Sequence, residues 1–228
     1  MLLVRKLGGS LEEQIAALLH DVSHTAFSHV IDYVLQRKGE DYHEQIFEQV
    51  IANSTIPAIL TRHGFSTSLL EDPKYTLLEM PLPALCADRI DYTMRDLYHF
   101  GVINIVEVHD FLNELAVQNG EIGVKSEKAA SWIASKYIQL NKEYFRKPEY
   151  IYVNTKFSEL IALGLEKGII ILSDLWKDDP VVLSMIKSNP DLNSELQKIK
   201  SLDGFEKFSG SAKKFKERIL KPMVIDNT

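Results

Sequence analysis

A single cysteine, Cys86, occurs in the 228 residues. No internal disulfide can form, which suits a reducing compartment and excludes a disulfide-stapled scaffold. Long hydrophobic runs are missing too. Stretches such as GIIIL at 168–172 are core-sized and far short of the roughly 18 residues a membrane helix needs. Basic residues are in deficit, with 26 Lys and Arg against 32 Asp and Glu, a net charge of −6. General nucleic-acid binding through a basic surface is therefore not expected, although a local basic pocket stays open. In the opening MLLVRKLGGS the basic residues follow the apolar ones, and no signal-peptide core comes after them. The expectation is a soluble, cytoplasmic protein without membrane contact. No repeat or low-complexity block is present. What remains is ordinary globular composition, 45% hydrophobic and 25% charged, in a chain long enough for one large domain or a domain with an appendage.

The periodicity is mostly helical. Ser10 stands as an N-cap before LEEQIAALLHDV, with Glu13 at capping-box spacing and Ile15, Leu18, Leu19 and Val22 on one face. SHVIDYVLQRKG predicts a helix ended by Gly39, and DYHEQIFEQVIANS another, with Ile46, Phe47, Val50 and Ile51 at helical spacing. Pro57 and Gly64 break the next stretch. The prolines of EMPLPAL delimit a helix over ALCADRIDYTMRDLYHFG that Gly101 stops. VEVHDFLNELAVQNG reads as a helix and turn, and EIGVKS as a short strand that could pair with NIVEV or another extended piece. Helices over KAASWIASKYIQLNKEYF, YIYVNTKFSELIALGLEKGI, PVVLSMIKS and DLNSELQKIKSL follow, then a basic, later apolar tail that allows a terminal strand. The predicted fold class is all-α, a helical bundle with one short β element. Residues 1–175 form the predicted main domain, and 176–228 the C-terminal helices and basic tail.

Three of the seven histidines fall inside LLHDVSHTAFSH, residues 18–29, beside an aspartate. His20 and His24 are four apart and share a side of a continuous helix. Asp21 and His20 are about 100° apart on a helix and reach one ion only near a helix end or bend. Imidazole nitrogen and carboxylate oxygen together suit a divalent ion such as Mn, Fe or Zn. His29 and His43 add groups that exchange protons near neutral pH. A second cluster is ADRIDYTMRD, residues 87–96, where Asp88, Tyr92 and Arg95 or Asp96 fall on one stripe that His99 continues. A carboxylate, a phenol and a guanidinium on one face suit a charged substrate held beside a metal. Plainer readings stand beside these. A single His-Asp pair is commonly surface or capping chemistry, and His43 alone would be a solvated helix residue. Asp91 and Arg95 at i, i+4 are ordinarily a surface ion pair. Tyr92 among aliphatics is ordinarily core. His63 and His109 lack companions and read as structural or exposed. The functional reading draws its weight from the two clusters occurring together.

LLHDVSHTAFSHVID, YHEQ at 42–45 and ADRIDYTMRD, in that order, resemble the signature segments of the HD-domain phosphohydrolases, in the branch that contains deoxynucleotide triphosphohydrolases. The likeness is good over residues 10–105 and weak beyond 175. It implies a metal-dependent hydrolase of nucleotides or related phosphoesters, with deoxynucleoside triphosphates as one substrate class. His20, Asp21 and Asp88 match the metal ligands, for a divalent ion (Mn, Fe, Zn or Mg). His24 and His43 match catalytic histidines near the phosphates, His24 serving as the acid for the leaving oxygen, and Asp88 could also orient the attacking water. Tyr92 and Asp96 match substrate-holding residues and Arg89 a basic position. Arg95 offers a further cation for phosphate, and His29 and Asp32 match supporting positions. The family's ligand set begins with another histidine upstream, and none of the 19 residues before His20 is histidine. That leaves a late-starting chain or a degenerate, non-catalytic module binding nucleotide or a protein partner. The expected partner is a nucleotide or other phosphorylated small molecule. Relatives assemble, so a homo-oligomer is open. A plain structural bundle would require all three segments to be coincidence.

Overall fold

The computed structural model describes residues 1–35, 41–71, 74–209 and 218–225. Eleven α-helices occur among them. The first five are α1 (Leu2–Lys6), α2 (Leu11–Leu19), α3 (Val30–Val34), α4 (Tyr42–Ala52) and α5 (Ile56–Arg62). Then come α6 (Ala87–His99), α7 (Ile105–Glu114), the strands β1 (Leu115–Gln118) and β2 (Glu121–Val124), and α8 (Glu127–Gln139). The chain ends with α9 (Pro148–Glu166), α10 (Asp179–Ser188), α11 (Pro190–Lys200) and β3 (Met223–Val224). The all-α class with a small β element is what this order shows. No helix among the described residues is long and apolar enough to cross a membrane.

The chain forms two compact units. The first comprises the described parts of 1–20, 64–145 and 213–228, and the second those of 21–63 and 146–212. Position 175, where the sequence suggested a boundary, lies inside the second unit. The core of the first unit gathers Val4, Leu85, Ile90, Leu97, Ile133, Tyr137 and Leu140, all almost fully buried. In the second, Ile161, Ile170, Leu175, Ile186 and Leu192 do the same work. Each such side chain contributes about 1.5–3 kcal/mol through removal from water.

Several local expectations shift. Ser10 Oγ accepts the Glu13 N–H at 3.1 Å, so the cap is there. The buried face of α2, however, is Glu13, Ala16 and Ala17, while Leu18 is 64% exposed and Val22 also points outward. Small alanines let α2 approach its neighbours closely, and that packing overrides the larger aliphatic stripe. Pro57 sits in the first turn of α5, where its missing N–H costs nothing, so it starts the helix instead of breaking it. The strand partner of EIGV is LAVQ, not NIVEV. Asn104 and Glu107 close a capping box that makes the latter segment the start of α7. Asn119 and Gly120, both at positive φ, form the two-residue hairpin turn between β1 and β2. β3 adds in parallel to β2. The helix predicted to end at Gly39 is α3, and Gly39 lies outside the described residues, as do parts of the basic tail.

Candidate functional site

In the first unit, α2 ends at Leu19 and His20 follows as its C-cap. His20 continues the buried stripe of Glu13, Ala16 and Ala17, which stand at i−7, i−4 and i−3 from it. Its Nδ1 lies 3.1 Å from the Ala17 carbonyl oxygen. A carbonyl only accepts, so that bond places a proton on Nδ1 and leaves the ring's lone pair on Nε2. Nε2 is 3.5 Å from Asp88 Oδ1. Asp88 stands in the first turn of α6, where a carboxylate is favoured by the helix dipole. Asp21 follows His20 through one peptide bond. One ligand-capable atom from each of His20, Asp21 and Asp88 lies within 4.8 Å of the others. Two carboxylate oxygens and an imidazole lone pair this close repel one another, and a cation among them relieves that repulsion. With bond lengths near 2.0–2.2 Å, this spacing fits a single divalent ion. The helix end at Leu19 is what allows His20 and Asp21, neighbours in sequence, to present donor atoms within 4.8 Å of each other.

In the second unit, three imidazoles converge. The His24 and His43 rings stack at 4.1 Å, His29 meets His24 edge-on at 5.1 Å, and His29 and His43 are 5.4 Å apart. His24 Nε2 lies 3.4 Å from Asp21 Oδ1. Asp32, almost fully buried, connects the cluster to the fold. Its Oδ1 accepts the Tyr42 N–H at 3.1 Å, seating the start of α4 beside His43, and its Oδ2 lies 3.7 Å from His29 Nδ1. Burial, together with the charges of His24 and His29, holds the His43 imidazole below its usual pKa and keeps it neutral near pH 7.

The loop carrying His24 and His29 has a conformation its sequence does not announce. Phe27 and Ser28 both take positive φ, 60° and 48°, which side-chain-bearing residues adopt only when held there. Leu175 accepts the Ala26 N–H at 2.7 Å, Asp179 Oδ1 accepts the Phe27 N–H at 2.8 Å, and the Phe27 ring packs edge-on against Phe157. Sequence reasoning missed Asp179 because its partner is a backbone N–H 152 residues away. It also missed Glu13 as more than a capping residue. An acidic side chain on a helix stripe otherwise made of alanines was the available signal.

The remaining predicted positions lie along α6. Tyr92 is half-buried with its hydroxyl 3.4 Å from the Tyr137 hydroxyl, and burial first, then Tyr137, push its phenol pKa up. Asp96 is half-buried, and burial pushes its carboxyl pKa up. Arg89 Nη1 donates to the carbonyls of Met80 and Ala84, at 3.1 and 2.8 Å, and to Cys86 Sγ at 3.2 Å. That guanidinium nitrogen thus braces the loop before α6. Arg95 is exposed and forms a bidentate pair with Asp91 at 2.9–3.1 Å, the plain reading of that spacing.

Comparison with known proteins adds the following. No family model matches the chain. An uncharacterised protein of Bacillus subtilis, YdhJ, is 48% identical over 191 residues, which cover 83% of this chain and 59% of that protein. A metal-dependent phosphohydrolase of Cordyceps militaris, cns2, is 30% identical over 210 residues, 88% of this chain and 61% of that one. The chain therefore spans about 60% of the length of these curated relatives. Among solved structures, a hypothetical protein from Aquifex aeolicus superposes with a TM-score of 0.59 at 20% identity, covering 88% of this chain and 58% of that one. A phosphohydrolase from Bacteroides thetaiotaomicron gives 0.53 at 19% identity, covering 86% and 53%. The chain shares their fold.

Proposed function

We propose that this chain is a metal-dependent phosphohydrolase of the HD type, with His20, Asp21 and Asp88 holding a divalent ion such as Mn, Fe, Zn or Mg. The observation that carries this reading is the convergence of those three donors within 4.8 Å. The donor chemistry fits. One neutral imidazole is oriented by a backbone carbonyl, the usual support for a ligating histidine, and two carboxylates supply the negative charge that a hard or borderline cation prefers. A relative named as a metal-dependent phosphohydrolase, 30% identical, supports the same class. When bound, the ion would polarise a phosphoryl oxygen and make water a competent nucleophile at neutral pH.

The chain's own groups supply the rest. A water oxygen bonds to phosphorus and releases a proton to solvent, the bond from phosphorus to the leaving oxygen breaks, and His24 gives that oxygen a proton. Asp21, 3.4 Å from His24, orients the imidazole. Neutral His43, stacked on His24, fixes the ring plane without adding a competing charge. His29, seated by Asp32, offers an N–H to phosphate. Tyr92 and Asp96 on α6 receive the remainder of the substrate, with Arg89 and Arg95 contributing positive charge. The substrate is a nucleotide or a related phosphoester, and deoxynucleoside triphosphates are the first class to assay.

The experiment is metal analysis of the purified chain together with phosphate release from a panel of nucleotides in the presence of Mn²⁺. Stoichiometric metal and turnover of at least one nucleotide are expected. Metal-free protein that takes up no Mn²⁺ and turns nothing over would leave only a binding role.

A further inference from the structure

The backbone at Leu77 and Leu78 is gripped from both sides. Their N–H groups donate to Glu13 Oε1 at 2.9 and 3.1 Å. Their carbonyls accept the N–H groups of Ala87 at 2.7 Å and Asp88 at 3.2 Å. The start of α6 therefore hangs on a segment that α2 holds. Glu13 is buried, at 7% exposure, and a buried carboxylate is tolerated only when hydrogen-bonded, as it is here by the two amides. The local sequence makes room for it. A Cβ at Gly9 would stand 3.0 Å from Glu13 Oε2 and 2.5 Å from Val4 Cγ1.

We propose that Glu13 is a positioning residue for the metal-holding set: by clamping Leu77 and Leu78 to α2, it fixes the separation between His20, at the end of that helix, and Asp88. The proposal rests on the reading of His20, Asp21 and Asp88 as metal ligands. A clamp that served stability alone would change the melting temperature and leave the metal affinity of the folded protein untouched.

The test is Mn²⁺ affinity, read as free Mn²⁺ by electron paramagnetic resonance, on the full chain as wild type, Glu13→Gln and Glu13→Ala. Circular dichroism checks the fold of each. The side-chain amide oxygen introduced by Glu13→Gln would accept the same two N–H groups, so that variant should bind within about threefold of wild type. Folded Glu13→Ala should bind about 10–100-fold more weakly, the cost of losing an outer-shell support. Wild-type affinity in folded Glu13→Ala would overturn the proposal, as would equal weakening in both variants. If Glu13→Ala does not fold, hydrogen exchange of the wild type decides. Protection of the Leu77 and Leu78 amides should rise when Mg²⁺ or Zn²⁺ is added, and unchanged protection would overturn the clamp. A wild type that takes up no Mn²⁺ is a different failure, because it removes the metal reading on which the clamp stands.

Discussion

The two groups of titratable side chains are built from opposite chemistry. His20, Asp21 and Asp88 present lone pairs and negative charge within 4.8 Å of one another. His24, His29 and His43 present imidazole rings 4.1–5.4 Å apart, with one carboxylate, Asp32, buried behind them. The first arrangement offers the donors a divalent cation takes. The second can meet an anion with N–H donors and pass a proton. Their supports differ too. The first is held by short-range helix ends and the Glu13 clamp, the second by contacts to Leu175, Asp179 and Phe157 far along the chain. Under the proposed function a divalent ion and a phosphate fall to different residues, and substitutions should separate them.

The largest separation is expected at Asp88. Asp88→Asn should weaken Mn²⁺ binding by more than about 100-fold, beyond the 10–100-fold typical of outer-shell changes, and eliminate measurable phosphate release. His24→Gln should instead cut phosphate release by about 10²–10³, within the range of general acid–base catalysis, and weaken Mn²⁺ binding far less than Asp88→Asn does, by about 10-fold at most, since its amide can still donate to Asp21. Equal loss of metal in both variants would merge the two groups into one.

Asp32→Ala should destabilise the fold by about 1–3 kcal/mol, because it strands the buried Tyr42 N–H. Urea midpoints measure this, with Asp32→Asn recovering part of the loss. A smaller effect concerns pH. His43 binds its proton less readily folded than unfolded, first through burial and then through His24 and His29. The unfolded chain therefore holds more protons below the ordinary imidazole value near 6.5. The stabilising contribution is full above that value and fades as pH falls through the folded one. The urea midpoint of EDTA-treated protein should drop between pH 7.5 and 5.5, and His43→Gln should flatten that drop. Smallest of all is the stability effect of Arg95→Ala, which breaks an exposed ion pair with Asp91 and should cost less than about 1 kcal/mol.

Helix order was legible because periodicity and caps are local, as Ser10 before α2 and Gly101 after α6 illustrate. The meeting of His20 with Asp88 was not readable from spacing. It came from resemblance, since 66 residues and several turns intervene between Asp21 and Asp88. The inward face of α2 was misjudged because two alanines, which periodicity scores as weak core formers, pack more closely than Leu18 could. The pairing of LAVQ with EIGV was hidden by an apolar pattern that also suits a helix, and only the Asn-Gly turn marked it. The left-handed Phe27 and Ser28 carried no local signal, since the fold around Asp179 and Leu175 imposes their conformation.

The most direct test of the account is a crystal of the full chain soaked in Mn²⁺, with anomalous scattering recorded at the manganese edge. The account predicts one strong peak bonded to His20 Nε2 and to carboxylate oxygens of Asp21 and Asp88. A peak elsewhere, or none with those three side chains ordered, would contradict it.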